Sequence, residues 1–187
     1  ENEIAQSCAA TGEEFVNYWL HNEHLLVESQ KMSKSEGNFY TLRQLLEMGY
    51  SPESLRYTLI STHYRQKLNF TFDKIKSSQK CVNKLRELKR RTELIALNAC
   101  EEGEDIESAS TRMLEKFKEK LSDDLNISGA LGELFIWVND MFSALDNKQV
   151  RLSDAKIILS ALSSVDSILC VIDDSCDSKD SDCLLYT

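Results

Sequence analysis

The sequence predicts a mainly α protein in which a short β-bearing segment leads into a helical bundle. Three observations carry this. The 187 residues contain one Pro and six Gly, which leaves few places to turn a strand. Four apolar stripes with i, i+3, i+4, i+7 spacing occupy the chain after residue 72, each placing its apolar side chains on one helix face. No single stripe can hide alone, so the four should pack together.

The elements follow in order. Residues 3–11 read as the end of a helix closed by Gly12. Phe15 to Leu20 is aromatic and β-prone, and His24 to Val27 is a short strand-like run. Lys31 to Asn38 is polar, contains Gly37 and reads as a loop. Thr41 and Gln44 have capping-box spacing and open a short helix ending near Gly49. Ser51-Pro52-Glu53 is a helix start: a Ser cap, Pro at the first helical position, then an acid in the first turn. That helix carries Leu55, Leu59 and Ile60 on one side and is expected to end near His63.

The first stripe is Ile75, Val82, Leu85, Leu88, Thr92, Ile95 and Ala99. The second is Met113, Leu114, Phe117 and Leu121. Leu131, Leu134, Phe135, Val138, Phe142 and Leu145 form the third. The fourth, entered through Ser153 as cap, is Ile158, Leu162, Val165, Ile168, Leu169 and Ile172. Breaks at 101–105, 123–126 and 146–148 separate them, the first two rich in acids, and residues 173–183 read as a flexible Asp/Ser tail.

Composition excludes collagen-like and low-complexity chains. No apolar run reaches the length of a membrane span, and no signal-peptide pattern opens the chain. The start at Glu1 reads as a cut from a longer protein. Six Cys without a C-x-x-C pair fit free thiols in a reducing cytoplasm. The net charge of −9 is uneven. Residues 1–30 carry six Glu and no Lys or Arg, residues 31–91 carry 14 basic against five acidic residues, and residues 92–187 carry eight against 20. A basic island therefore sits in an acidic chain. The average alone would argue against a nucleic-acid partner; the island does not.

The chemistry-bearing motif is Lys31-Met32-Ser33-Lys34-Ser35, followed by Glu36-Gly37-Asn38. Two lysines three apart in a Ser/Gly loop form a mobile cationic clamp, each a compact charge on a flexible stem. A triphosphate attacked at its α-phosphate needs fixed cations where charge builds on the departing pyrophosphate. Two lysines in a polar loop are more often only a solvated surface; the literal five-residue string moves the reading to the clamp.

That string is the signature loop of class I aminoacyl-tRNA synthetases. With residues 1–7, Phe15 to Asn22, Leu55-Arg56-Tyr57, Ser61, His63-Tyr64-Arg65 and Leu68-Asn69-Phe70, the chain resembles the cysteinyl-tRNA synthetases. The resemblance runs from residue 1 to about 72 and more weakly to Asp123-Asp124-Leu125-Asn126 and the helix beyond.

The resemblance implies a fold: the remnant of a class I Rossmann catalytic domain in 1–40, a tRNA-stem-contact region in 41–72, an anticodon-binding-type bundle in 73–172 and a tail in 173–187. It implies an activity: ATP-dependent activation of cysteine to the adenylate and transfer to the 3′ end of tRNA(Cys). Lys34 and Lys31 would be catalytic, and Lys31, Met32, Ser33, Lys34 and Ser35 would bind ATP with its Mg. Glu36 stands where the family often has Leu, so its carboxylate should point away from the phosphates. Trp19 and His21 resemble active-site-wall residues, with ordinary core packing the alternative for Trp19, and His24 reads as a surface or strand residue.

Glu3 resembles one zinc ligand, whose His and Cys partners would lie outside this chain. No His-x-Gly-His motif is present, so the nucleotide-binding half of the same protein is expected elsewhere, and this chain alone is expected to be inactive. Arg65, Lys67, Lys76, Lys80 and Lys84 are the candidate tRNA contacts. The implied partners are tRNA(Cys), cysteine and ATP, with no DNA and no membrane, in the cytoplasm. Two alternatives stand beside this: a fragment of a paralogous ATP-dependent cysteine:amino-sugar ligase, and a non-enzymatic helical tRNA- or protein-binding module.

Overall fold

The structure is a computed structural model that describes residues 2–14, 16–33, 37–95 and 105–173. Helix α1 spans Asn2–Thr11 and closes where the Gly12 N–H reaches the Cys8 carbonyl, with Gly12 at φ +74°. None of its residues is buried. The described part of the aromatic stretch, 16–20, forms no strand, which corrects the β-prone reading. Tyr18 is 92% exposed there, and aromatic content alone does not make a strand without a neighbour to pair with.

Strands β1 (Leu25–Val27), β2 (Gln30–Lys31) and β3 (Leu68–Phe70) form one small sheet in the order β2-β1-β3. β1 is antiparallel to β2, with Val27 opposite Gln30, and parallel to β3, with Leu26 opposite Asn69. Helices α2 (Leu42–Glu47) and α3 (Pro52–Ile60) make the crossover between β2 and β3.

Both short helices start as read. At α2 the Thr41 hydroxyl accepts from the Gln44 N–H at 3.3 Å while Gln44 Oε1 accepts from the Thr41 N–H at 2.9 Å. At α3 the Ser51 hydroxyl accepts from the Ser54 N–H, and Pro52 follows the cap. α3 ends at Ile60, one turn short of His63. It buries Leu55 and Tyr57, while Leu59 is 48% exposed, so Leu59 leaves the expected apolar side.

Four long helices follow: α4 (Phe72–Ile95), α5 (Ile106–Ser122), α6 (Ile127–Asp146) and α7 (Leu152–Leu169). α5 packs on α6 and α7, and α4 packs on α3, α6 and α7. Their shared core holds Val82, Leu85, Leu88, Phe117, Leu134 and Ile158. Within the stripes, Ile168 is half exposed, and Trp137 and Met141 join the core unforeseen. The Trp137 indole N–H, whose polarity hides its burial from a pattern reading, donates to the Ser110 hydroxyl at 3.2 Å. The Ile95 side chain and Ala99 lie outside the described residues.

α7 starts at Arg151, not through Ser153. Buried Asp154 accepts from the Arg151 N–H at 2.9 Å and from Arg151 Nε at 3.0 Å, which places Ser153 inside the first turn. Ile172 is buried beyond the helix, after Cys170 turns the chain at φ +51°.

A second, smaller core of Leu45, Leu55, Phe70 and Ile75 underlies the sheet. α4 serves both cores, with Ile75 in the small one and Val82 to Leu88 in the large one. The helix is one rod joining the sheet to the bundle. The tail from residue 174 lies outside the described residues. Among the described residues no helix is long and apolar enough to cross a membrane.

Candidate nucleotide-binding loop and its surroundings

The signature loop leaves the sheet at Lys31, which pairs with Leu26. Its ends are pinched by one side chain. Asn38 Oδ1 accepts from the Ser33 N–H at 2.8 Å, and Asn38 Nδ2 donates to the Lys31 carbonyl at 3.1 Å. Gly37, at φ +68°, makes the return turn that a Cβ would strain. Lys31, Met32 and Ser33 are thus placed on one short stem, with Lys31 exposed. Lys34, Ser35 and Glu36 lie outside the described residues.

The hairpin that launches this stem is unusual. Its two-residue turn, Glu28-Ser29, takes φ +47° and +66°. A turn with both central residues left-handed suits the twist of a hairpin but ordinarily calls for Asn-Gly or Asp-Gly. Each non-Gly residue there costs roughly 1–2 kcal/mol. The surroundings hold it: Asn69 Oδ1 accepts from the Ser29 N–H at 2.8 Å, Asn69 Nδ2 donates to the Ser29 hydroxyl at 3.0 Å, and Glu28 Oε1 accepts from the Phe72 N–H at 3.1 Å. Phe72 is the first residue of α4. A carboxylate on an orphan N–H at a helix start is favourable in charge as well as in hydrogen bonding.

Trp19 and His21 stack with ring centroids 6.1 Å apart and planes 6° from parallel. Nearby, the Glu23 N–H donates to the Tyr64 carbonyl at 2.8 Å. His24 is exposed, as read. Asp124, in the α5–α6 turn, gathers the 63–65 segment. Its carboxylate accepts from Tyr64 Oη at 2.5 Å and from Arg65 Nε at 2.7 Å, and its carbonyl lies 2.8 Å from His63 Nε2. The Arg65 and Tyr64 hydrogen bonds hold the Asp124 carboxyl below the usual carboxylate range, and the same contact with Asp124 raises the pKa of Arg65. A groove of about 490 Å³ beside this cluster is lined by Leu25, Ile60, Leu68, Leu121 and Ile127 among others. Its walls are largely apolar, which is not the chemistry of a phosphate site.

Glu3 sits exposed on α1. Among the described residues no group of three or more His, Cys, Asp or Glu could hold a metal ion. One carboxylate does not make a zinc site, so the residues present do not fit the metal by themselves.

The basic island is partly consumed inside the protein. Arg56 Nε donates to the Leu169 carbonyl at 2.5 Å and Arg86 Nε to the Ile172 carbonyl at 3.0 Å. Lys89 pairs with Asp173. Arg56 thus meets the last carbonyl of α7, where the helix dipole favours positive charge, while Arg86 and Lys89 hold the segment just after the helix. Arg86 also pairs with Glu53, Arg91 with Asp146, and Arg90 with Glu87.

Of the candidate tRNA contacts, Arg65 is engaged by Asp124 and Lys76 by Asp73. Lys84 meets Asn139 and lies 5.8 Å from the centre of the Phe142 ring. Lys67 and Lys80 are exposed, and neither forms an ion pair among the described residues. Lys74 shares this state, although the sequence does not place it among the candidates. Sequence reasoning also missed the roles of Glu28, Asn38, Asn69 and Asp124. Turn chemistry gave no signal for Glu28-Ser29; Asn38, directly after the lysine string, was the one available hint.

Residues 1–80 match the family model of the tRNA synthetases class I (C) catalytic domain. The chain is 48% identical over 172 residues to a cysteine–tRNA ligase of Brachyspira hyodysenteriae, covering 90% of this chain and 35% of that protein. It is 40% identical to a cysteine–tRNA ligase of Chlamydia caviae, over 95% of this chain and 37% of that one. It is 42% identical to one from Koribacter versatilis, over 96% of this chain and 36% of that one. The chain spans 35–37% of the length of these curated relatives. The resemblance read from the sequence is borne out, and it extends through the bundle as well as the loop.

Proposed function

We propose that this chain, a relative of the cysteine–tRNA ligases, is the carboxy-terminal part of such an enzyme. In that reading the whole protein uses ATP to activate cysteine and then charges tRNA(Cys). The observation that carries it is the lysine loop, intact in sequence and clasped at its base by Asn38.

In the first step the carboxylate oxygen of cysteine attacks the α-phosphate of ATP. The α–β phosphoanhydride bond breaks and pyrophosphate leaves. Lys34 and Lys31, with Mg on the phosphates, meet the charge that grows on the departing oxygens, and Ser33 and Ser35 add polar contacts. In the second step a terminal ribose hydroxyl of the tRNA attacks the adenylate carbonyl and AMP departs. Zinc enters only through the resemblance. Glu3 would supply one ligand.

The tRNA would lie along the basic stretch, with Lys67, Lys74 and Lys80 the cations most available to phosphates and Arg65, Lys76 and Lys84 more committed internally. α4–α7 would be the anticodon-side bundle. The apolar exposure of Ile4, Trp19 and Leu20 supports burial against the nucleotide-binding half of the same protein. The proposed setting is the cytoplasm.

Cysteine-dependent ATP–pyrophosphate exchange tests the reading. The full-length protein should exchange, Lys34→Ala should lower the rate by about a hundredfold or more, and the 187-residue chain alone should show none. Exchange by the isolated chain would overturn its assignment as a part without the nucleotide-binding half.

A further inference from the structure

We infer that Glu28 and Asn69 are positioning residues for the signature loop: together they hold the Glu28-Ser29 turn in its left-handed form against the start of α4. This rests on the ligase reading for its catalytic consequence and on geometry for its structural one. The turn is two residues from Lys31 and fixes the direction in which the lysine stem leaves the sheet. Glu28 and Ser29, at φ +47° and +66°, would relax to ordinary backbone if nothing held them.

Three hydrogen bonds do so, and all reach outside the hairpin. Asn69 uses both ends of its amide on Ser29, and Glu28 caps the Phe72 N–H. The Glu28 N–H also donates to the Phe70 carbonyl at 3.0 Å, extending the β1–β3 pairing into the turn. Asn69 and Phe72 flank the junction between β3 and α4. The loop is therefore registered to the helix that carries Lys74 and Lys80, not only to its own hairpin partner.

The test uses the full-length protein. Asn69→Ala and Glu28→Ala should lower kcat/KM for ATP in cysteine-dependent exchange by about tenfold or more, because small misplacement of a clamp is costly, and should leave the KM for cysteine unchanged. Glu28→Gln, which keeps an acceptor for the Phe72 N–H, should stay near wild type. Adding Ser29→Gly to Asn69→Ala should restore activity, since Gly holds a positive φ without help; a merely destabilising effect would not be rescued this way.

In parallel, trypsin cleavage after Lys31 should quicken in Asn69→Ala and return to the wild-type rate in the double variant. If wild type exchanges and Asn69→Ala matches it in both assays, the inference is overturned. If wild type shows no exchange, the ligase reading fails, and the trypsin comparison alone upholds or overturns the anchoring.

Discussion

Arg65 grips Asp124 with two nitrogens, Nε to Oδ2 at 2.7 Å and Nη2 to Oδ1 at 3.2 Å. The pair bolts the segment after α3 to the α5–α6 turn, 59 residues away in sequence. Tyr64 and His63 reinforce it on the same residue. Asp124 and Leu125 both take positive φ, +50° and +55°, so the turn depends on such contacts. Arg65→Ala and Asp124→Asn should each lower the melting temperature, and the double variant should be no worse than the poorer single. Thermal unfolding of the four proteins checks this; full additivity would show that the two side chains act independently.

The same cluster predicts an acid response. The carboxyl of Asp124 titrates below its ordinary value because of Arg65 first and Tyr64 next. A depressed folded-state pKa contributes stability that is present above the unfolded value and is lost as pH falls through the depressed one. Wild type should therefore lose stability relative to Asp124→Asn as pH drops below about 4. Melting curves of the two proteins across that range should converge on acidification; parallel curves would contradict the mechanism.

The cations divide into two classes with different outcomes. Lys67→Ala, Lys74→Ala and Lys80→Ala combined should weaken tRNA binding and flatten its salt dependence, by roughly 0.7–0.9 in the logarithmic slope for each phosphate no longer neutralised. Arg86→Ala should instead lower thermal stability, because its partners are Glu53 and the Ile172 carbonyl. Filter binding against salt, beside melting curves, separates the two. An unchanged slope in the triple variant would remove these lysines from the tRNA surface.

Leu85 on α4 and Leu59 on α3 give a stability contrast. Leu85 is fully buried, and Leu85→Ala should cost about 2–5 kcal/mol through the apolar surface removed from the core and the cavity left behind. Leu59 is 48% exposed, and Leu59→Ala should stay within about 0.5 kcal/mol. Denaturant unfolding measures both.

What could be read from the sequence was local. Thr41-Gln44 and Ser51-Pro52 begin helices through contacts within three residues, and the structure makes those contacts. The stripe of Ile75, Val82, Leu85 and Leu88 is buried because a rigid 3.6-residue period leaves it no other face. The start of α7 misled because Ser153 is a good cap in isolation, whereas Asp154 reaches back to Arg151. β3 escaped notice because three residues gain strand geometry only from β1 beside them. For the candidate site, the lysine string was legible as chemistry and Asn38 as a neighbour. The hold of Asn69 on Ser29 spans 40 residues, and no local propensity encodes it.

The most direct test is tRNA charging by the full-length protein with ATP and cysteine. It should form cysteinyl-tRNA(Cys), and Lys34→Ala should abolish this. Transfer of activated cysteine to an amino-sugar with no charging of tRNA would contradict the assignment and favour the paralogous ligase.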